Sequence, residues 1–204
     1  MSEQKKNQTF LEVKNLKVEY FSDGQIVHAV NGISLQIERG KTLGLVGETG
    51  AGKTTIAKAI LRILPDIGSK VTAGEVYLDG KELFSLPEQE MRKIRGNGIS
   101  MIFQDPMTAL NPVQTVGDQI AEVVKLHNTG SKTDFEKKAK EMLEMVGIPG
   151  ERYHEYPHQF SGGMKQRVVI AIALACNPGL LLADEPTGSV TLVQHYPKTT
   201  PVIF

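Results

Sequence analysis

Gly47-Glu48-Thr49-Gly50-Ala51-Gly52-Lys53-Thr54 matches the spacing G-x-x-x-x-G-K-[ST]. The stretch before it, Thr42-Leu43-Gly44-Leu45-Val46, is short and almost continuously apolar, as a strand buried on both faces of a parallel sheet should be. The stretch after it reads as a helix from Lys53 to Leu64, stopped by Pro65. A glycine-rich turn between strand and helix is the setting in which this spacing cradles phosphate. Glycine reaches backbone conformations closed to other residues, so successive N–H groups of Gly47, Glu48, Thr49, Gly50, Ala51 and Gly52 can converge on one anion. The helix N-terminus adds its partial positive charge. Lys53 then reaches the β- and γ-phosphates, the Thr54 hydroxyl binds Mg²⁺, and Thr55 touches the α-phosphate. The bland alternative is a turn with no ligand. With Gly at ~7% of residues, chance matches occur in on the order of one chain in a hundred, and the flanking pattern makes chance rarer still.

Downstream, Leu180-Leu181-Leu182-Ala183 reads as a second buried strand, ending in Asp184-Glu185. Beside a phosphate loop, such carboxylates have natural tasks. Asp184 can hold Mg²⁺ through water, and Glu185 can orient and deprotonate an attacking water. The strand follows a helix from about Gly163 to Ala175 that is apolar nearly all round and therefore expected in the core. Asn177-Pro178-Gly179 separates the two. Ser161-Gly162-Gly163 opens that helix. Its ordinary reading is an N-cap; its sharper reading is a second anion site. Gln104 follows a short apolar strand, Ile99 to Phe103, and in isolation is a loop glutamine.

The rest of the pattern is mixed. Phe10 to Tyr20 alternates, with Leu11, Val13, Leu16, Val18 and Tyr20 apolar and Asn15 at an irregularity. Ser22-Asp23-Gly24 is a turn, and Ile33 to Ile37 alternates again. Gly74 to Leu78 and Asp79-Gly80 read as strand and tight turn. Helices are expected over Pro87 to Ile94 and Val116 to Lys125. Another opens at a capping box formed by Thr133 and Glu136 and closes at Gly147.

In their order, the phosphate loop, Phe103-Gln104-Asp105-Pro106, Phe160-Ser161-Gly162-Gly163-Met164 and Leu182-Ala183-Asp184-Glu185-Pro186-Thr187 resemble the ATP-binding subunits of ABC transporters. Asp105-Pro106-Met107-Thr108-Ala109-Leu110-Asn111-Pro112 and Tyr156-Pro157-His158-Gln159-Phe160-Ser161-Gly162-Gly163-Met164-Lys165-Gln166-Arg167 resemble the oligopeptide, dipeptide and nickel importer branch, with Met164 standing where most ABC proteins carry Gln. The resemblance covers about Leu11 to Thr187. It implies an α/β P-loop fold with a parallel core sheet, an N-terminal antiparallel β part and a helical subdomain. It divides the chain into 10–112 (antiparallel part and P-loop core), 113–156 (helical subdomain), 157–187 (signature helix and acidic strand) and 188–204 (tail).

The resemblance also implies roles. Tyr20 corresponds to the aromatic that stacks on adenine. Gln104 corresponds to the glutamine that contacts Mg²⁺ and couples the site to the membrane subunits. Ser161, Gly162 and Gly163 correspond to the signature that binds the γ-phosphate held by the opposite subunit. ATP and Mg²⁺ are the implied ligands. A second ABC ATPase subunit, identical or not, and transmembrane permease subunits are the implied partners, with an extracytoplasmic solute-binding protein acting indirectly. The implied activity is ATP hydrolysis driving uptake of peptides, with nickel the second choice of solute. The implied location is the cytoplasmic face of the cell membrane.

After Thr187 the pattern departs. The family continues with a small-Ala-Leu-Asp loop, a helix, a strand that inserts between the two site-bearing strands, and a switch histidine. Here Gly188-Ser189-Val190-Thr191-Leu192-Val193-Gln194-His195 follows, and His195 is too early to be that histidine. Val190 to Val193 and Val202 to Phe204 are β-prone, but Pro197 and Pro201 interrupt the segment. The expectation is a core incomplete at this end, poorly replaced by the tail and destabilised in consequence. A nucleotide-binding remnant without turnover is therefore an alternative to an active ATPase. A non-transport ABC ATPase is a third reading, but it lacks the paired domains or long insertions usual there.

Composition sets the frame. The chain has 204 residues, 40% hydrophobic and 23% charged, which suits one folded domain rather than a disordered or fibrous chain. Lys plus Arg and Asp plus Glu are 23 each, so no bulk electrostatic footprint for nucleic acid exists. The single cysteine, Cys176, excludes an intrachain disulfide and reads as a small buried hydrophobe. Met1 to Thr9 is polar and unlike a signal peptide, and the longest apolar run, Val168 to Cys176, is about half of the ~20 residues a spanning helix needs.

Overall fold

The structure, a computed structural model, describes residues 9–22, 24–48, 50–103, 105 and 109–184, and the backbone of Val202–Ile203. They divide into two compact units, one running to Arg92 and including Val202–Ile203, the other beginning at Lys93.

The first unit is built on an antiparallel sheet. β1 (Thr9–Ser22) pairs with β2 (Gln25–Glu38) on one side and β4 (Ser69–Leu78) on the other, and β5 (Lys81–Glu82) adds to β4. The apolar positions of β1 change from odd to even between Val13 and Leu16. In a strand of period two that slip would turn half of them to solvent unless one residue were inserted. Asn15 supplies the insertion. It sits at φ 46, the register shifts on both sides of β1 there, and its N–H donates to Ser34 Oγ at 2.9 Å. Leu11, Val13, Leu16 and Val18 are consequently all buried. The expected Asp79-Gly80 turn has both residues at positive φ, 50 and 78. Of the Ser22-Asp23-Gly24 turn, Asp23 lies outside the described residues, while Gly24 is at φ 75 and Ser22 pairs with Gln25.

Two expectations for this unit are corrected. The apolar run Thr42 to Val46 is not a buried strand. Only Thr42–Leu43 (β3) is strand, and Val46 is fully exposed. Burial on both faces needs ladder neighbours, and among the described residues β3 pairs only with β8 (Val202–Ile203), in parallel, Thr42 to Val202 and Leu43 to Ile203. Of the β-prone segment expected at Val202 to Phe204, Val202–Ile203 form strand, and Phe204 lies outside the described residues. The helix expected from Lys53 to Leu64 stops at Ile60 (α1, Lys53–Ile60). Arg62 turns left-handed at φ 54, and its Nη1 donates to the carbonyls of Leu83 (3.1 Å) and Leu86 (2.6 Å). That tertiary contact ends the helix before Pro65 can. α2 (Glu88–Ile94) follows Pro87 as expected, and the boundary between the units falls within it.

The second unit contains β6 (Ile99–Ile102) and β7 (Leu180–Ala183), paired in parallel from Ile99–Leu180 to Ile102–Ala183, every residue buried. α5 (Gly162–Leu174) has an apolar middle that packs in the core, with Val168, Val169, Ile170 and Ala171 buried. α3 (Val116–His127) and α4 (Lys132–Met145) each bury one stripe, including Ile120 and Val124, and Ala139, Met142 and Leu143. α4 closes at Gly147 (φ 72), whose N–H reaches the Glu144 carbonyl, as the Ile148 N–H reaches that of Leu143.

The capping box of α4 is not Thr133 with Glu136. Ser131 is the N-cap and Asp134 its partner: Ser131 Oγ accepts from the Asp134 N–H at 3.2 Å, and Asp134 accepts from the Ser131 N–H at 2.9 Å and hydroxyl at 2.7 Å. Thr133 lies inside the first turn, and Glu136 pairs instead with Lys140 at 2.8 Å. Cys176 is half-buried and donates its thiol to the Val123 carbonyl at 3.4 Å.

Candidate nucleotide-binding site

The phosphate loop lies in the first unit. Gly50 and Gly52 both adopt left-handed φ, 86 and 84, and Gly52 is the N-cap of α1. The close approach of β2 makes Gly52 obligatory. A Cβ there would stand 2.4 Å from the Ala29 carbonyl oxygen and 3.4 Å from Val30 Cγ2. The loop is tightened by the Ala51 N–H donating to the Glu48 carbonyl at 3.0 Å. Lys53 curls back across it, and its ammonium donates to the carbonyls of Gly47 (2.6 Å) and Glu48 (3.0 Å). Its charge is therefore held at the loop that would receive phosphate. Thr55 is buried in the first turn of α1, and its Oγ1 lies 3.3 Å from the Tyr20 hydroxyl on β1. The structure thus joins two residues that the sequence places far apart. Thr49 lies outside the described residues.

The second unit carries the acidic strand and the signature helix. Asp184 directly follows β7 and is buried, its N–H donating to the Ile102 carbonyl at 3.0 Å, so the β6–β7 ladder sets its backbone. Glu185 and Gln104 lie outside the described residues, as do His195 and Val190 to Val193. Ser161 is the N-cap of α5 and accepts from the Met164 N–H at 3.4 Å, which is its ordinary structural role. Ser161, Gly162 and Gly163 are all exposed, and nothing stands within 4 Å of where a Cβ would project from either glycine. A helix N-terminus left open in this way can accept an anion.

One positioning residue escaped the sequence reading. Gln119 is buried on α3, accepts from the Asn111 N–H at 3.0 Å, and donates to the carbonyls of Asn111 (3.0 Å) and Gln114 (3.1 Å). It fixes residues 111–114, a few positions after Gln104. The signal was available: Val116, Gln119, Ile120 and Val124 share one stripe, so a glutamine stands among apolar core residues and must find polar partners there.

No helix among the described residues is long and apolar enough to cross a membrane. Within the first unit the donor set fits the phosphates of a nucleotide: a left-handed glycine cradle, a lysine at the loop and a threonine at the helix start.

Comparison with known proteins agrees with this composition of parts. The ABC transporter family model matches residues 30–188. The chain is 51% identical over 182 residues to the dipeptide transport ATP-binding protein DppD of Bacillus subtilis, covering 88% of this chain and 54% of that protein. It is 49% identical to the oligopeptide transport ATP-binding protein OppD of the same organism, covering 88% and 51%. The chain spans about half the length of the curated relatives it matches. Among solved structures, the ATP-binding cassette MJ0796, dimeric in a post-hydrolysis state bound to ADP and Pi, superposes with TM-score 0.83 at 30% identity, over 95% of this chain and 86% of that one. The fold is therefore the α/β P-loop fold of ABC ATPase cassettes, and the chain belongs to the ABC transporter family.

Proposed function

We propose that this chain is the ATP-binding, energy-coupling subunit of an importer for dipeptides or oligopeptides. The observation that carries the reading is the phosphate loop, with Gly50 and Gly52 left-handed, Gly52 wedged against Ala29, and Lys53 held at the loop where α1 begins. The names of the relatives support the class of solute. Backbone N–H groups of residues 47–52 bind the phosphates, Lys53 neutralises them, Thr55 meets the α-phosphate, and Tyr20 packs against the base. Thr54, Gln104 and Asp184 are the residues that would hold Mg²⁺, which spreads the charge of the transferring phosphoryl group when bound. Glu185 takes the proton of the attacking water. Ser161, Gly162 and Gly163 serve the nucleotide of a second ABC subunit. The membrane-spanning path belongs to permease partners, which place this subunit on the cytoplasmic face, and an extracytoplasmic protein delivers the solute.

A second reading, nucleotide binding without turnover, is favoured by two observations. Residues 188–195 lack the small-Ala-Leu-Asp pattern, and β3 has a ladder of only two residues among those described. ATP binding and turnover, measured side by side with a Glu185→Gln variant, separate the two. Turnover abolished by Glu185→Gln with binding retained supports the importer ATPase. Binding with no turnover in either protein supports the second reading, and no binding in either overturns both.

A further inference from the structure

The signature segment Ser161-Gly162-Gly163 has no packing of its own at its glycines, so whatever fixes it must act from its flanks. Those flanks are Phe160 and Met164, and one side chain touches both. Arg152, on the short 3-10 turn Gly150–His154, lies with its guanidinium 4.2 Å over the Phe160 ring and points Nη1 at Met164 Sδ, 3.5 Å away. Its Nη2 also donates to the Gln159 carbonyl at 3.3 Å.

The arginine is itself held. Nε donates to both carboxylate oxygens of Glu155 at 2.9 Å, and Nη2 donates to Glu155 Oε2 at 2.5 Å. The Arg152 hydrogen bonds keep the Glu155 carboxyl below the usual carboxylate range. The turn carrying the pair is tied to the start of α3. The Glu155 carbonyl accepts from the Val116 N–H at 2.9 Å, and the Tyr153 hydroxyl donates to Asp118 at 2.8 Å. Arg152 is thus a strut running from the start of α3 to the first turn of α5.

We propose that Arg152 is a positioning residue for the signature segment, setting where the open N-terminus of α5 presents Ser161 and the glycine N–H groups. Its functional consequence rests on the importer-ATPase reading above. A planar fork is needed, because only a guanidinium can grip a carboxylate bidentately, stack on a ring and reach a third partner at once. Lysine cannot substitute.

The test compares wild type with Arg152→Lys and Arg152→Ala in two arms. In the first, hydrogen exchange is followed without nucleotide at the N–H groups of Met164 and Lys165, which donate to the Ser161 hydroxyl and carbonyl; at least tenfold faster exchange is expected in both variants. In the second, ATP-driven association and turnover are measured. Half-association should need roughly tenfold more protein and kcat should fall about tenfold, while KM for ATP stays within twofold. A merely structural role would instead lower Tm and nucleotide affinity together, and that result overturns the proposal. So does wild-type exchange and association in Arg152→Lys, which decides the matter if Arg152→Ala fails to fold. If wild type itself neither associates nor turns over, the importer reading falls, and the exchange arm still supports or overturns the positioning by Arg152.

Discussion

The Tyr20 hydroxyl lies 3.3 Å from Thr55 Oγ1, joining β1 to the first turn of α1 by a side-chain hydrogen bond. This bond and the stacking role proposed for the Tyr20 ring separate by substitution. Tyr20→Phe removes the hydrogen bond and keeps the ring; Tyr20→Ala removes both. Stacking on a base contributes about 1–2 kcal/mol, roughly 5- to 30-fold in affinity. Tyr20→Phe is therefore expected to bind ATP within about threefold of wild type, and Tyr20→Ala about tenfold more weakly. Equal losses in a fluorescent-nucleotide titration would assign the effect to the hydroxyl and end the stacking role.

The two left-handed glycines of the loop should not be equally sensitive. Gly50 faces open space, so Gly50→Ala meets only backbone strain, about 1–2 kcal/mol. Gly52→Ala meets the same strain and drives a methyl to 2.4 Å from the Ala29 carbonyl oxygen. We expect it to cost about 3 kcal/mol or more and to abolish ATP binding. Urea denaturation and nucleotide titration of both variants would check the order.

The cap of α4 gives a paired prediction. Ser131→Ala removes the side-chain acceptor of the Asp134 N–H and should cost about 1 kcal/mol. Thr133→Ala, inside the first turn, should stay within about 0.5 kcal/mol. The reverse order in thermal melts would restore Thr133 as the cap.

Acid sensitivity follows from the same cap. The Ser131 hydroxyl, and then its N–H, hold the Asp134 carboxyl below its ordinary value. Hydrogen bonds from Lys140 and Arg152 do the same for Glu136 and Glu155. A carboxyl whose folded value is depressed contributes its stability fully above the unfolded value, near pH 4, and loses it as pH falls through the folded value. Tm should therefore drop between about pH 5 and pH 3, and Asp134→Asn should show a shallower drop. An identical pH slope in the variant would contradict this.

What could be read in advance depended on how local the physics was. The phosphate loop is contiguous, and its glycines and lysine do their work within a few residues. The bulge at Asn15 was legible because the apolar positions of β1 change parity around it. The cap of α4 was not, because Ser131 and Thr133 each have an acid three residues on, and only the structure shows which pair closes. Thr42 to Val46 misled because burial belongs to a strand's neighbours, and the partner of β3 lies at Val202–Ile203. Arg152 was invisible because its partners, Glu155, Gln159, Phe160 and Met164, form no motif until the chain turns them toward one guanidinium.

Lys53 gives the loop an occupant of its own. With its ammonium on the carbonyls of Gly47 and Glu48, a phosphate bound there as proposed would have to compete with the loop's own oxygens for that charge. Binding at this lysine is an exchange of partners, and measured affinity is the difference between two satisfied states. On the proposed reading, removing the lysine would subtract on both sides: the nucleotide would lose a counter-charge, and the loop would lose the clasp between Lys53 and the carbonyls of Gly47 and Glu48.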